Sequence, residues 1–136
     1  MDTRVDVALI LWNQDVIELM SWQLLRRNLR SSGVEPSEGA DNIDHLIVGW
    51  DPSVVVFDLD PPYDASAAVA LRLMYRFTDL SFVITCADSA LALKRAPWLS
   101  GYPLYQKPYD IDAIANLVRS MVNRAPSTVA ALSIGA

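Results

Sequence analysis

Apolar residues fall into short continuous runs that alternate with stretches of helical periodicity. Three runs have the length and β-branched content of buried strands: residues 5–11, 54–57 and 82–84. Weaker strand patterns cover residues 34–35 and 102–106, where Pro36 and Pro103 favour positions at the sheet edges. The pattern therefore predicts five strands with helices between them.

The first helix is predicted to follow Asp15, a suitable N-cap residue, and to run through about residue 30. Gly33 is expected to end it. Its expected apolar stripe is formed by residues at helical spacing: Ile17, Met20, Leu24, Leu25 and Leu29.

Four further helices are predicted by the same spacing: residues 43–48, 70–77, 89–96 and 114–122. Asp41 or Asn42 is expected to cap the second helix, and Gly49 to end it. Asp88 is expected to cap the fourth, which Pro97 ends.

Strands that alternate with helices predict an α/β fold: a doubly wound, five-stranded parallel sheet with helices on both faces. One domain is expected over residues 1–124, followed by a C-terminal tail or linker over residues 125–136. In such sheets ligands bind beyond the carboxyl ends of the strands. Asp58, Thr85 and Lys107 are all predicted at that edge.

Composition narrows the classes of function. The net charge of −5 disfavours direct nucleic-acid binding, which depends on clustered Lys and Arg. No apolar run reaches the roughly 20 residues of a membrane span, so no membrane role is expected. The chain has one cysteine, Cys86, which excludes an intrachain disulfide and fits a reducing cytoplasm. Cys86 is expected to be a small buried apolar residue.

The three polar residues at the predicted edge suit phosphoryl chemistry. A carboxylate such as Asp58 can attack a phosphoryl group and hold it as an aspartyl phosphate. Lys107 would pair with phosphoryl oxygens, and the Thr85 hydroxyl would donate a hydrogen bond. Such transfer also needs Mg²⁺, held by carboxylates and water.

Three segments, residues 52–62, 82–86 and 101–108, resemble the motifs of response-regulator receiver domains of the chemotaxis-regulator type. The resemblance covers roughly residues 5–123 and implies the flavodoxin-like (βα)5 fold of two-component phosphorelay proteins. It places Asp58 at the phosphoacceptor position, Thr85 at the phosphoryl-sensing hydroxyl and Lys107 at the pairing cation. It further implies a cis Lys107–Pro108 bond.

The resemblance also implies partners. A histidine kinase or another signalling protein is expected to bind, and residues 89–109 form the partner face in most relatives. A homodimer through the last helix–strand–helix face is a further expectation. Mg²⁺ is the cofactor that the family uses.

Two departures from the family pattern point to an atypical receiver. The acidic pair that holds Mg²⁺ after the first strand is replaced by Trp12 and Asn13. Asp58, Asp60 and Asn13 remain as a weak ligand set, and the Trp12 ring is expected to fill the metal cavity. The aromatic switch position is Leu104, and strand alternation turns the neighbouring Tyr105 to the opposite face.

The favoured interpretation is a signalling module that acts by protein–protein interaction, with weak or absent phosphorylation of Asp58. One alternative is a conventional receiver that uses Asp58 with Mg²⁺. A second is a phosphatase of the haloacid-dehalogenase type, with Asp58 as nucleophile and Asp60 as general acid/base. Against this enzyme, Asp110 and Asp112 are predicted at a helix start, where they cannot supply its second acidic pair.

Overall fold

The structure, a computed structural model, describes residues 4–122. Its strands are β1 Val7–Ile10, β2 Ser31–Val34, β3 Val54–Asp58, β4 Ser81–Cys86 and β5 Leu104–Gln106. Its helices are α1 Gln14–Leu25, α2 Ala40–Trp50, α3 Tyr63–Arg76, α4 Ser89–Arg95 and α5, described over residues 111–122. Short 3₁₀ turns, Pro36–Glu38 and Pro97–Gly101, precede α2 and β5. The predicted tail, residues 125–136, lies outside the described residues.

The five strands form one parallel sheet in the order β2-β1-β3-β4-β5. This order confirms the predicted doubly wound fold, with β2 and β5 at the edges. The winding direction changes between β1 and β3, so the topological switch point lies at their carboxyl ends. Asp58 is the last residue of β3 and therefore lies at that point.

Side chains alternate between two apolar clusters, one on each face of the sheet. Val55 and Phe57 pack on the face covered by α2, α3 and α4, here the α2–α4 side. Val54 and Val56 pack on the face covered by α1 and α5, the α1–α5 side. Because successive strand residues point to opposite faces, Asp58 shares the α1–α5 side with Val54 and Val56.

The N-terminus of α1 differs from its prediction. Asn13, not Asp15, is the N-cap: its Oδ1 accepts hydrogen bonds from the N–H groups of Asp15 at 2.8 Å and Val16 at 3.4 Å. The backbone of Asn13 is extended, at φ −111° and ψ 118°, as an N-cap requires. Asp15 lies in the first turn instead.

The C-terminus of α1 also differs. The helix ends at Leu25, because Asn28 takes a left-handed conformation with φ 61° and turns the chain back to the sheet. Leu25 is 62% exposed, so its predicted place in the apolar stripe was wrong. Leu29 is buried, but beyond the helix. Gly33 does not end α1 and lies within β2.

The second helix is longer than predicted. It runs from Ala40 to Trp50, with Gly39 at the N-cap position at φ 93°. Asp41 and Asn42 therefore lie inside the helix rather than at its cap, and Gly49 does not end it. Asp51, in the left-handed region at φ 47°, is the residue that does.

β2 lies earlier than predicted, at Ser31–Val34 rather than residues 34–35, whereas most other elements lie closer to their predictions. Asp88 caps α4, since its carboxylate accepts the N–H of Leu91 at 3.0 Å. α3 starts earlier than predicted, at Tyr63, and Pro103 precedes β5 rather than lying inside it. Within residues 4–122, no helix is long and apolar enough to cross a bilayer.

The tryptophans of the helices and 3₁₀ turns differ in exposure. Trp22 is 67% exposed, since it lies on α1 opposite the buried stripe, and it covers neither cluster. Trp50 and Trp98 pack, half-buried, on the α2–α4 side. His45 is exposed, and Cys86 is fully buried, as expected of a small apolar residue.

A test of the close contact between α1 and β2 follows from Gly33. A Cβ added there would overlap Ile17 Cγ2 of the helix above. We expect Gly33→Ala to lower the free energy of unfolding by about 1–3 kcal/mol through overpacking. In the control Gly49→Ala, the new Cβ meets no atom within 4 Å, and the helix should gain up to about 1 kcal/mol. Urea denaturation measures both; equal effects would contradict this packing.

Candidate functional site

The register of the sheet brings the first two site residues together. Asp58 at the end of β3 pairs directly with Thr85 of β4. Both side chains lie on the α1–α5 side, and the Thr85 hydroxyl donates a hydrogen bond to Asp58 Oδ1 at 3.2 Å. Thr85 is fully buried and Asp58 is 2% exposed. A carboxylate this deep requires compensating charge.

That charge comes from Lys107. Its backbone N–H extends the ladder beyond β5 by donating to the carbonyl of Cys86 at 2.8 Å. Its ammonium then reaches across β4 to Asp58 Oδ2 at 2.7 Å. The Lys107 side chain is 40% exposed, so the pair has one buried and one partly hydrated partner. The Lys107–Pro108 peptide bond is cis, as the resemblance implies, and so is Pro61–Pro62.

The main chain of Trp12 is the third partner of the carboxylate. The backbone N–H of Trp12 points at Asp58 Oδ2 at 3.4 Å, a long hydrogen bond. Asp58 Oδ2 therefore receives Lys107 and Trp12, and Oδ1 receives Thr85. Both oxygens of the carboxylate are engaged by groups of the chain itself.

Trp12 and Asp60 share a cavity beside this cluster. The cavity has a volume of about 250 Å³, and Phe57, Pro61 and Pro62 also line it. Trp12 is 37% exposed, and Asp60 is exposed. The expectation that the Trp12 ring fills the metal cavity stays a prediction, since Trp12 approaches Asp58 with its backbone.

Mg²⁺ does not fit the residues present. The ion needs several oxygen ligands in near-octahedral geometry. Asp58 already accepts three hydrogen bonds from the chain, and Asn13 Oδ1 is occupied as the cap of α1. Asp60 is exposed and lines the cavity with Trp12. Within residues 4–122, no three His, Cys, Asp or Glu side chains converge on a metal-sized site.

The switch position behaves as strand alternation predicts. Leu104 packs on the α2–α4 side, and Tyr105 packs on the α1–α5 side. Thr85, which pairs with Tyr105 in the sheet, also points to the α1–α5 side, where Asp58 lies. Tyr105 is thus turned away from the switch position, which is occupied by an aliphatic side chain.

Two contacts that sequence reasoning missed hold the loop between β4 and α4. The Tyr63 hydroxyl of α3 accepts the N–H of Asp88 at 3.0 Å. Gln106 Oε1 of β5 accepts both the N–H and the hydroxyl of Ser89, at 2.9 and 3.0 Å. These residues fix the start of α4 next to Thr85. A Tyr in a first helical turn and a Gln before Lys-Pro carry no local signal of this role.

Two acidic protons near the cluster are held more tightly than usual. Burial, followed by the negative charge of Asp58, raises the pKa of Tyr109 to about 12. Burial likewise raises the pKa of the Cys86 thiol, which disfavours its reactive thiolate. Tyr109 lines an apolar cavity of about 290 Å³ with Lys107 and Pro108. The Tyr109 and Cys86 side chains therefore keep their protons to higher pH than usual.

Comparisons with known proteins agree with this architecture. No protein-family model matches the sequence, and no curated protein matches it either. Solved structures do match. The apo receiver domain of nitrogen regulatory protein C is 22% identical with a TM-score of 0.68, over 91% of this chain and 98% of that one.

Two further structures are similar. A signal receiver domain from Vibrio parahaemolyticus is 18% identical with a TM-score of 0.71, covering 94% of this chain and 97% of its own. An orphan response regulator of H. pylori is 13% identical with a TM-score of 0.64, covering 90% and 99%. The chain therefore has the fold of response-regulator receiver domains, which confirms the predicted fold.

The first test of the cluster removes the cation. We expect Lys107→Met to lower the free energy of unfolding by about 1–3 kcal/mol, because it strands a buried carboxylate. Adding Asp58→Asn to that variant should restore part of the loss. Arg4→Met is the control, since Arg4 and Asp51 pair at 3.5 Å with both side chains 70% exposed. Its cost should stay below about 1 kcal/mol. Equal losses in urea denaturation would contradict a special role for Lys107.

The second test uses pH. Because the folded-state pKa of Tyr109, about 12, lies above the ordinary 10.0, the folded chain keeps this proton where the unfolded chain loses it. The contribution of Tyr109 to the free energy of unfolding should therefore be fully present below pH 10 and be lost as the pH rises towards 12. Two pKa units correspond to at most about 2.7 kcal/mol, and less for a half-buried ring.

Urea midpoints at pH 9 and pH 11 measure this loss. Tyr109→Phe should lose less stability over the interval than the wild type. Tyr75, which is 77% exposed, gives the control variant Tyr75→Phe, whose loss should equal that of the wild type. An unchanged loss in Tyr109→Phe would contradict the assignment.

Proposed function

We propose that the chain is a signalling module of the two-component type that works by protein–protein interaction and is independent of Mg²⁺-dependent phosphorylation of Asp58. The observation that carries this proposal is the engagement of both Asp58 oxygens by Thr85, Lys107 and Trp12. The charge of the carboxylate is balanced within the chain by Lys107, and within residues 4–122 no group of three metal-ligating side chains lies around it.

The hydrogen bond from Thr85 to Asp58 favours one conformation of the site. In the family, this hydroxyl moves to the phosphoryl group when the domain is activated. Here it already donates to the carboxylate, and Tyr63 and Gln106 hold the loop that follows. Leu104 supplies no aromatic ring to couple with such a movement. A phosphorylation switch requires a segment with two stable conformations. Here the hydroxyl of Thr85 is already bound, and the switch position has no aromatic ring, so neither favours a second conformation.

Exposed apolar side chains support protein binding as the output. α1 carries three of them on its outer face: Leu19, Trp22 and Leu25, at 55, 67 and 62% exposure. The expected partner face, residues 89–109, adds Leu91 at 40%. A cluster of this kind marks interaction surfaces on otherwise polar proteins. A histidine kinase or another signalling protein is the partner that we propose.

The geometry favours this module over the phosphatase alternative. Asp60, its general acid/base, lines a cavity with Trp12, and its backbone N–H is bound to Ser66 at 3.1 Å. Asp110 and Asp112 lie at the start of α5, where Asp110 accepts the N–H of Asp112 at 2.9 Å. Neither supplies a strand-end carboxylate pair next to Asp58.

Beryllofluoride with millimolar Mg²⁺ tests the proposal. This phosphoryl mimic should leave the amide resonances of Asp58 and Thr85 unshifted in the wild-type chain, because the metal ligands are missing. The gain-of-function control is the double variant Trp12→Asp/Asn13→Asp, which rebuilds an acidic pair and keeps a good N-cap at residue 13. That variant should show shifts, and Asp58→Asn in its background should abolish them. Shifts of the wild-type amides at the same Mg²⁺ concentration would overturn the proposal.

A further inference from the structure

The cavity beside the Asp58 cluster has a composition of its own. Its lining includes an aromatic ring, one carboxylate and three prolines: Trp12, Asp60, Pro36, Pro61 and Pro62. Proline has no backbone N–H, so these walls offer few hydrogen-bond donors. The lining also contains the Ser66 hydroxyl and several apolar residues, and Asp60 is its one charged residue.

The charge of the cavity is negative and uncompensated. Asp60 has an exposed side chain, and no cation of residues 4–122 pairs with it. Lys107, the ammonium at this edge of the sheet, is bound to Asp58 at 2.7 Å. The N-terminus of α3 contributes a partial positive charge, but Asp64 in its first turn offsets this. The cavity therefore attracts a cation.

The Trp12 ring adds a second attraction for the same ligand. An indole face binds cations through its negative quadrupole, and a planar guanidinium also stacks on it. Asp60 offers two oxygens, which match the paired N–H groups of a guanidinium. With a volume of about 250 Å³, the cavity is smaller than the 300–1,000 Å³ typical of whole small-molecule sites. It fits a group of side-chain size.

We propose that this cavity binds an arginine side chain of a partner polypeptide, with the guanidinium on Asp60 and Trp12 and the aliphatic stem along the prolines. The contact uses neither oxygen of Asp58, so it does not depend on whether that carboxylate is phosphorylated. It gives the edge of the sheet a specific recognition element that a receiver with an acidic pair at this position would lack.

The probe is a short blocked peptide with one arginine among alanines, titrated while the indole N–H resonance of Trp12 is followed by NMR. We expect saturable shifts with a Kd in the millimolar range. The matched peptide with citrulline, a neutral isostere, should bind roughly tenfold more weakly, since it keeps the shape and loses the charge. Equal binding of the two peptides would overturn the proposal.

Variants of the chain locate the contact. Asp60→Asn should weaken binding of the arginine peptide about three- to fivefold, and Trp12→Leu should do the same where Trp12→Phe does not. For Trp12→Leu and Trp12→Phe, the shifts of the Asp60 amide replace the lost indole signal. Asp64→Asn removes an equal charge outside the cavity and should change Kd by less than about twofold. A dispersed amide spectrum shows that each variant is folded. Equal weakening by Asp60→Asn and Asp64→Asn would mean diffuse attraction, and the proposed site would be wrong.

Ethylguanidinium separates a polypeptide partner from a free small cation. It should bind at least about threefold more weakly than the arginine peptide, because it lacks the stem and backbone that contact the prolines. Equal or tighter binding of ethylguanidinium would overturn the choice of a polypeptide. The beryllofluoride experiment reports on Asp58, and this titration reports on Asp60. The failure of one proposal therefore leaves the other standing.

Discussion

The burial of one carboxylate organises the functional edge of this molecule. Asp58 is 2% exposed, and an ionised group at that depth is tolerated only when it is paired and hydrogen-bonded. This requirement is met at Oδ1 by the Thr85 hydroxyl, and at Oδ2 by the Lys107 ammonium and the backbone N–H of Trp12. The end of β4 and the segments that follow β1 and β5 thereby meet at one carboxylate.

The residues that follow β1 decide what this edge does. In a metal-dependent receiver, the residues after β1 hold a cation. Here the side-chain oxygen of Asn13 accepts hydrogen bonds from the first turn of α1 instead. Trp12 contributes its backbone to Asp58 and lines the neighbouring cavity with Asp60. This short segment thus caps α1 and lines a cavity. The charge of Asp58 is balanced by the ammonium of Lys107.

Features that depend on local composition were predictable from the sequence. The apolar run of β3 and the cap at Asp88 agree with the structure, and the parallel order brings Asp58 and Thr85 into register. Features set by tertiary contact were not. Gly33 resembles a helix stop, but it pairs with Leu9 in the sheet, and Ile17 of α1 packs directly over it. The bonds of Tyr63 and Gln106 join elements far apart in sequence, and no local pattern indicates them.

The inward position of Thr85 has a consequence for how such a protein would be regulated. If phosphorylation does not change the binding surface, it cannot switch partner binding on or off. Under the proposed function, the fraction of partner bound would follow the cellular amounts of the two proteins through mass action. Control would then pass from the chemistry of one side chain to transcription, translation and degradation of the whole chain.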